Sequence, residues 1–176
     1  MKKYHFLMLY TVLFSLLLIT FAGCKKSAET AVAGDSYMRY KLNGTKKDYN
    51  FCSATFLSAV NGIYSTGIAG ANSNDPSNDF SITLFSKTPL SQGATFTAAL
   101  VPATYFTQGQ LAYVQSSKGY TSAGTVINPA AKVSVIITEL SSTYVKGTFS
   151  GTLYSDADNY TTVVYTVTEG EFNAKR

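Results

Sequence analysis

Histidine is nearly missing from this chain. The single one, His5, lies beside the N-terminus, just ahead of a long apolar run. The rest of the sequence therefore offers no Ser-His or Cys-His pair for nucleophilic catalysis and no imidazole for a metal. No lysine stands three residues after a serine, so the Ser-x-x-Lys arrangement is missing too. There is no phosphate-binding glycine loop and no GxGxxG. Tryptophan is absent, which counts against a stacking platform for glycans. Helical periodicity is missing as well: after the N-terminal segment, no stretch keeps a helical apolar period beyond two turns.

Apolar residues run long in only one place. Phe6 to Ala22 is mostly apolar, interrupted by the hydroxyls of Thr11, Ser15 and Thr20, and Lys2 and Lys3 precede it. A spanning helix needs about 20 apolar residues, and this run is a little short. Its basic start and small-residue end are the marks of a secretory signal. Phe21-Ala22-Gly23-Cys24 resembles the bacterial lipobox, with Phe21 where leucine is usual. The resemblance implies a lipoprotein signal peptide at 1–23, cleavage before Cys24, lipidation of the Cys24 thiol and acylation of the new N-terminus. Each buried methylene contributes about 0.8 kcal/mol and one acyl chain holds only marginally. The three chains that the resemblance implies would hold essentially permanently.

Residues 24–35 then form the lipidated cysteine and a flexible tether, small, polar and without aromatics. Lys25 stands where an aspartate would retain a lipoprotein in the inner membrane, so the resemblance implies the outer membrane. Lys25-Lys26-Ser27-Ala28 lacks the acidic residues of surface export, which favours the periplasmic face over the cell surface.

The sequence pI near 9.0 invites a nucleic-acid reading, which the distribution of charge removes. Lys2 and Lys3 leave with the signal, and Lys25 and Lys26 sit beside the membrane. From Ser36 onward ten Lys/Arg face eight Asp/Glu, a near-neutral domain. With Cys24 used by lipid, Cys52 has no disulfide partner in the chain. No His, Lys or Arg lies within four residues to activate it, so it reads as a buried small hydrophobe.

Residues 36–176 are rich in Thr, Tyr, Val and Ile, which suit a pleated, half-buried surface. In VKGTFSGTLY, Val145 to Tyr154, Val145, Phe149 and Leu153 share one face with Gly147 and Gly151. Lys146, Thr148, Ser150 and Thr152 take the other, a period of two. The glycines suggest a bulge, a bend or a close backbone approach. Met38, Tyr40 and Leu42 alternate with Arg39 and Lys41, and Asn43-Gly44 turns the chain into a strand carrying Tyr49 and Phe51. Further faces are Phe80, Ile82, Leu84; Val133, Val135, Ile137; and Val163, Tyr165, Val167. Turn clusters are expected at 72–79, 117–124 and 155–159, and a short helix or irregular loop at Ala98 to Gln110. The expected fold is a single all-β domain, an antiparallel β-sandwich, with a small closed β-barrel as the alternative.

The runs VSVIITELSSTYVKGTFSGTLYS (133–155) and VTEGEFN (167–173), with the opening MRYKLNGTKKDYNF, resemble uncharacterised small β-rich lipoprotein families of Bacteroidetes-type bacteria. The resemblance implies a β-rich domain behind a lipid anchor and no established activity.

Glu139, Glu169 and Glu171 remain as carboxylates for acid–base chemistry. Glu169 and Glu171 would share a strand face at the spacing of a retaining glycosidase pair, although Gly170 between them points to a turn. Asp156, Asp158 and Asn159, and separately Asn72, Asn74, Asp75, Asn78 and Asp79, supply oxygens of the type calcium takes, but neither loop matches a full calcium loop. Tyr37, Tyr64, Tyr105, Tyr113, Tyr120, Tyr144, Tyr154 and Tyr160 are too many for the inward faces alone. The expectation is a membrane-anchored lipoprotein whose domain is a non-enzymatic binding or structural module for an envelope protein or glycan. The alternatives are a carrier or receptor for a glycan or lipid-like ligand, and a carboxylate-dependent hydrolase. Cys24 is the one site residue assigned; no catalytic, cofactor-binding or metal-binding residue is.

Overall fold

The alternation read from the sequence becomes eleven strands in the computed structural model, which describes residues 36–72, 75–98, 107–122 and 130–176. These belong to one compact unit, Asp35–Arg176. The signal segment, Cys24 and the tether lie outside the described residues, as do Asn74 and Tyr105. The strands are β1 (Tyr37–Leu42), β2 (Thr45–Tyr49), β3 (Phe51–Val60), β4 (Ile63–Asn72), β5 (Asp75–Ser86), β6 (Thr95–Ala98), β7 (Thr107–Gln115), β8 (Lys118–Thr121), β9 (Val133–Leu140), β10 (Tyr144–Ser155) and β11 (Val163–Lys175). A 3-10 turn at Asp156–Asp158 leads into β11. Among the described residues there is no α-helix.

Among the described residues three tight hairpins set the register. Asn43 and Gly44 have φ of 48° and 81°, and Asn61 and Gly62 have 53° and 76°. Two successive positive φ values match the strand twist at a two-residue turn, and Asn-Gly adopts them at least cost. The third hairpin uses Ser116 and Ser117, at 49° and 68°. Serine has no such preference, and here the Ser116 N–H is held by the Ser77 carbonyl at 3.0 Å.

One continuous ladder links all eleven strands. It folds into two facing layers, a β-sandwich. β2, β1, β11, β10, β9 and β6 follow one another in the first layer. β3, β4, β5, β7 and β8 follow in the second. The layers are joined by Lys175 opposite Ser53, by the parallel β6–β7 pairing and by Tyr154 opposite Thr121. The C-terminal strand β11 is central, paired with β1 on one side and β10 on the other.

Rings from both layers fill the space between them. Phe80 of β5 lies 4.6 Å from Tyr40 and 5.2 Å from Phe149, centroid to centroid, and Phe149 lies 6.3 Å from Phe172. Toward one end Tyr113, Tyr120 and Tyr165 pack edge and face, with Tyr120 and Tyr165 at 4.9 Å. The predicted inward faces of β1, β5, β9 and β10 are all buried.

Several local expectations change. Tyr49 and Phe51 do not share a strand: the chain bends at Asn50, Tyr49 closes β2 inside, and Phe51 opens β3 outside at 54% exposure. The Asx-rich stretch 72–79 is mostly strand, because Asp75 to Asp79 pair with β4 and β7, leaving 73–74 between the strands. Residues 118–121 of the second expected turn form β8. Thr107 to Gln110, expected as helix or loop, begin β7; residues 99–106 lie outside the described ones. On β11 Val167 is buried, but Val163 is 45% exposed, because it pairs with Tyr154 past a register shift. The 155–159 turn stands as expected.

Candidate functional site

The register of β11 decides what its carboxylates do. Gly170 is not in a turn; it sits inside the strand at a bulge where Glu169 takes a φ of 52°. The register shifts there against both β1 and β10. The Phe149 carbonyl and ring occupy the space a Cβ on residue 170 would need. A side chain at this position would push β10 away, so glycine is required by close approach. Glu169 and Glu171 consequently face solvent and meet cations of β1. The Lys41 ammonium lies 2.7 Å from Glu169 Oε1. The Arg39 guanidinium lies 3.9 Å from Glu171 Oε1 and 3.2 Å from Asp48 Oδ1.

Glu139 follows the same rule on β9. Lys146 donates to its Oε2 at 3.0 Å and the Tyr144 hydroxyl at 3.3 Å. The hydrogen bond from Lys146 holds the Glu139 carboxyl below its ordinary range. A general acid of the glycosidase kind needs a carboxyl taken out of water, and the side chains of Glu139, Glu169 and Glu171 are 49%, 68% and 49% exposed. All three belong to cross-strand ion pairs on an outer face, which contribute little individually.

The Asx loops are used structurally. Asp158 Oδ2 accepts the Thr162 N–H at 3.0 Å, and its carbonyl accepts the Thr161 hydroxyl at 2.9 Å. Partial burial works upward on its carboxyl, but hydrogen bonds from Thr162 and Thr161 to the carboxyl outweigh it and hold the group below its ordinary range. Asn78 Oδ1 accepts the Tyr113 hydroxyl at 3.3 Å. Among the described residues, no three His, Cys, Asp or Glu side chains gather as a metal site requires.

Cys52 is fully buried in β3, and burial pushes its thiol up to about 12. A protonated thiol is a poor nucleophile and metal ligand. Cys52→Ser is expected to leave the fold intact at a cost of about 1–2 kcal/mol, from placing a hydroxyl where a weakly polar thiol packs. A urea melt checks this; a loss well above that range, or native-state labelling of Cys52 as fast as a free thiol, would contradict the inert assignment.

The tyrosines divide as their number requires. Tyr113 and Tyr154 join Tyr40 and Tyr49 inside, and Tyr37, Tyr64, Tyr120, Tyr144 and Tyr160 are half-buried. The Arg39 guanidinium sits 4.5 Å over the Tyr37 ring, and the Lys146 ammonium 5.0 Å over that of Tyr144.

The sequence reading misses one feature. The outer face of β9, β10 and β11 is concave, forming an open groove of about 770 Å³. Ser134 and Ser150 lie opposite each other across it, as do Thr152 and Thr166; Thr168, Thr97 and Lys132 complete the polar lining. The groove comes from register shifts at Lys146/Gly147, Phe149/Gly151 and Leu153/Tyr154, since a bulge bends its strand. Alternation places Ser150 and Thr152 on the outside, but not the bend that makes that outside concave. Among the described residues the lining combines hydroxyls with Lys132 and includes no carboxylate. It can exchange hydrogen bonds with a polyol or a peptide backbone.

Compared with known proteins, the chain matches no family model, no curated protein and no solved structure.

Proposed function

We propose that this chain is an envelope lipoprotein, held at the outer membrane by lipid on Cys24, on the periplasmic face. In this reading its β domain is a non-catalytic module that docks an envelope protein or glycan. The lipobox-like Phe21-Ala22-Gly23-Cys24, with the likeness to small β-rich lipoprotein families, supports the anchor. The observation that carries the docking role is the filled interior. Tyr40, Phe80, Phe149 and Phe172 occupy the space between the layers that a carrier would keep for its ligand. Recognition then falls to the outer surface, where the groove of β9–β11 presents the hydroxyls of Thr97, Ser134, Ser150, Thr152, Thr166 and Thr168.

The anchor is tested by Cys24→Ala. The variant is expected in the soluble periplasmic fraction or uncut in the inner membrane; normal anchoring would end this part of the reading. The docking role is tested by cross-linking in intact cells, followed by capture of the tagged protein from membranes. An envelope component should be retained by the unaltered protein and by Thr148→Ala, and lost with Ser150→Arg, which fills the groove. Equal retention by Ser150→Arg would remove the groove from the account.

A further inference from the structure

Sheet edges are where a β protein stands open to other chains, because an unpaired strand presents a row of free backbone N–H and C=O groups. Among the described residues two strands keep such an edge over most of their length. β2 pairs with β1 alone, and it is blunted in the usual way, five residues long and carrying Lys46, Lys47 and Asp48. β3 is the other. β4 covers one side of it from Phe51 to Val60. Its second side meets β11 at one position, Ser53 opposite Lys175. From Ala54 to Val60 that side has no strand beside it among the described residues.

No charge or proline on β3 itself blunts this edge, although its pairing with β4 is irregular between Leu57 and Val60. No charged residue stands between Asp48 and Asp75, so the whole β3–β4 hairpin is neutral. β3 contains no proline and no glycine. Leu57 is 58% exposed and Val60 71%. A neutral, β-prone segment of this kind is what pairs readily with another strand. Lys175 and Arg176 are the charged residues brought alongside, and Arg176 is already engaged: its guanidinium lies 4.0 Å over the Phe56 ring and donates to the Ser141 carbonyl at 2.9 Å.

We infer that the free edge of β3 is an interface, and that its occupant is β3 of a second copy, paired antiparallel about a two-fold axis near Leu57. Two features select that occupant. A two-fold axis sets the residues around it against their own mates, and like charges directly opposite are destabilising. A strand without charge is the kind that can pair with itself. The second feature is the charged β2 edge. It leaves one long uncharged edge among the described residues, so pairing closes at two copies and does not extend into a fibre. A strand from a different protein would be chosen by complementary charge or by side-chain pockets, and ATFLSAV, 54–60, offers no charge to complement.

The test is sedimentation of the full chain, extracted in density-matched detergent at micromolar concentration. The unaltered protein should be a dimer. Leu57→Lys and Leu57→Glu, each alone, should weaken the dimer by about tenfold or more in Kd, because like charges then meet at the axis. Mixing the two variants should restore it. Val163→Lys, at an exposed apolar residue elsewhere, should leave the dimer unchanged and so exclude general apolar association. Thermal melts of all variants should stay close to that of the unaltered protein, since Leu57 packs no core. A monomeric unaltered protein overturns the inference. So does a dimer that survives both Leu57 variants, a mixture that fails to pair, loss of the dimer in Val163→Lys, or a monomer carrying another protein's strand at β3.

Discussion

Phe149→Ala is expected to destabilise the domain 36–176 by about 3–5 kcal/mol, the usual range for emptying a buried aromatic site. Phe149 is 3% exposed and lies against Tyr40, Phe80 and Phe172. It bridges the layers, so its loss leaves a void bordered by β1, β5 and β11 that no neighbour fills without moving a strand. Thr148, one residue earlier, is exposed opposite Glu171 and Ile136. Thr148→Ala removes only a β-preferring side chain from a solvated face, a change within about 1 kcal/mol. Urea melts of both variants measure the contrast. Equal losses would mean that the faces of β10 are wrongly assigned.

Gly147→Ala is expected to destabilise by about 1–3 kcal/mol or more, the range for overpacking. A Cβ at residue 147 would run into the Ile136 backbone carbonyl and the far edge of the Phe172 ring. The ring can give a little, but the carbonyl belongs to β9, which is paired with β10 along its length. Relief therefore means separating two strands. Gly67→Ala in β4 is the control, because a Cβ there meets nothing within 4 Å. It should be neutral or stabilising by up to about 1 kcal/mol, since alanine narrows the unfolded ensemble. If the two substitutions cost the same, close approach is not what Gly147 provides.

These two residues also show what the sequence made legible. Alternation in VKGTFSGTLY is strong because apolar and polar residues strictly exchange, and the structure keeps every one of those faces. Glycines on the apolar face pointed to a bulge or a close approach, and both occur. Asn43-Gly44 was readable for the same reason, as a turn that demands positive φ. Asn61-Gly62 carries the identical signature and turns β3 into β4 in the same way.

Composition misleads where long-range pairing outweighs it. Asp75 to Asp79 look like a turn, yet β4 and β7 flank them and the Tyr113 hydroxyl satisfies Asn78. Lys118–Thr121 look like a turn for the same reason and are held as a strand between β7 and β10. Gly170 shows the limit most clearly. A glycine between two glutamates suggests a reversal, whereas the strand runs on because Phe149 needs the space. That need depends on β10 lying beside β11, which no local pattern states. The hydroxyl groove was hidden for a related reason: its residues are ordinary outward positions, and bulges in the pairing make them concave.

The central claim is that this β-sandwich is tethered by lipid at Cys24. It is tested most directly by the intact mass and N-terminal fragment spectrum of the protein extracted from native membranes. The account predicts a chain beginning at Cys24, with acyl chains on its thiol and amino group, and no trace of residues 1–23. An unmodified Cys24, or a chain that retains the signal segment, would contradict it.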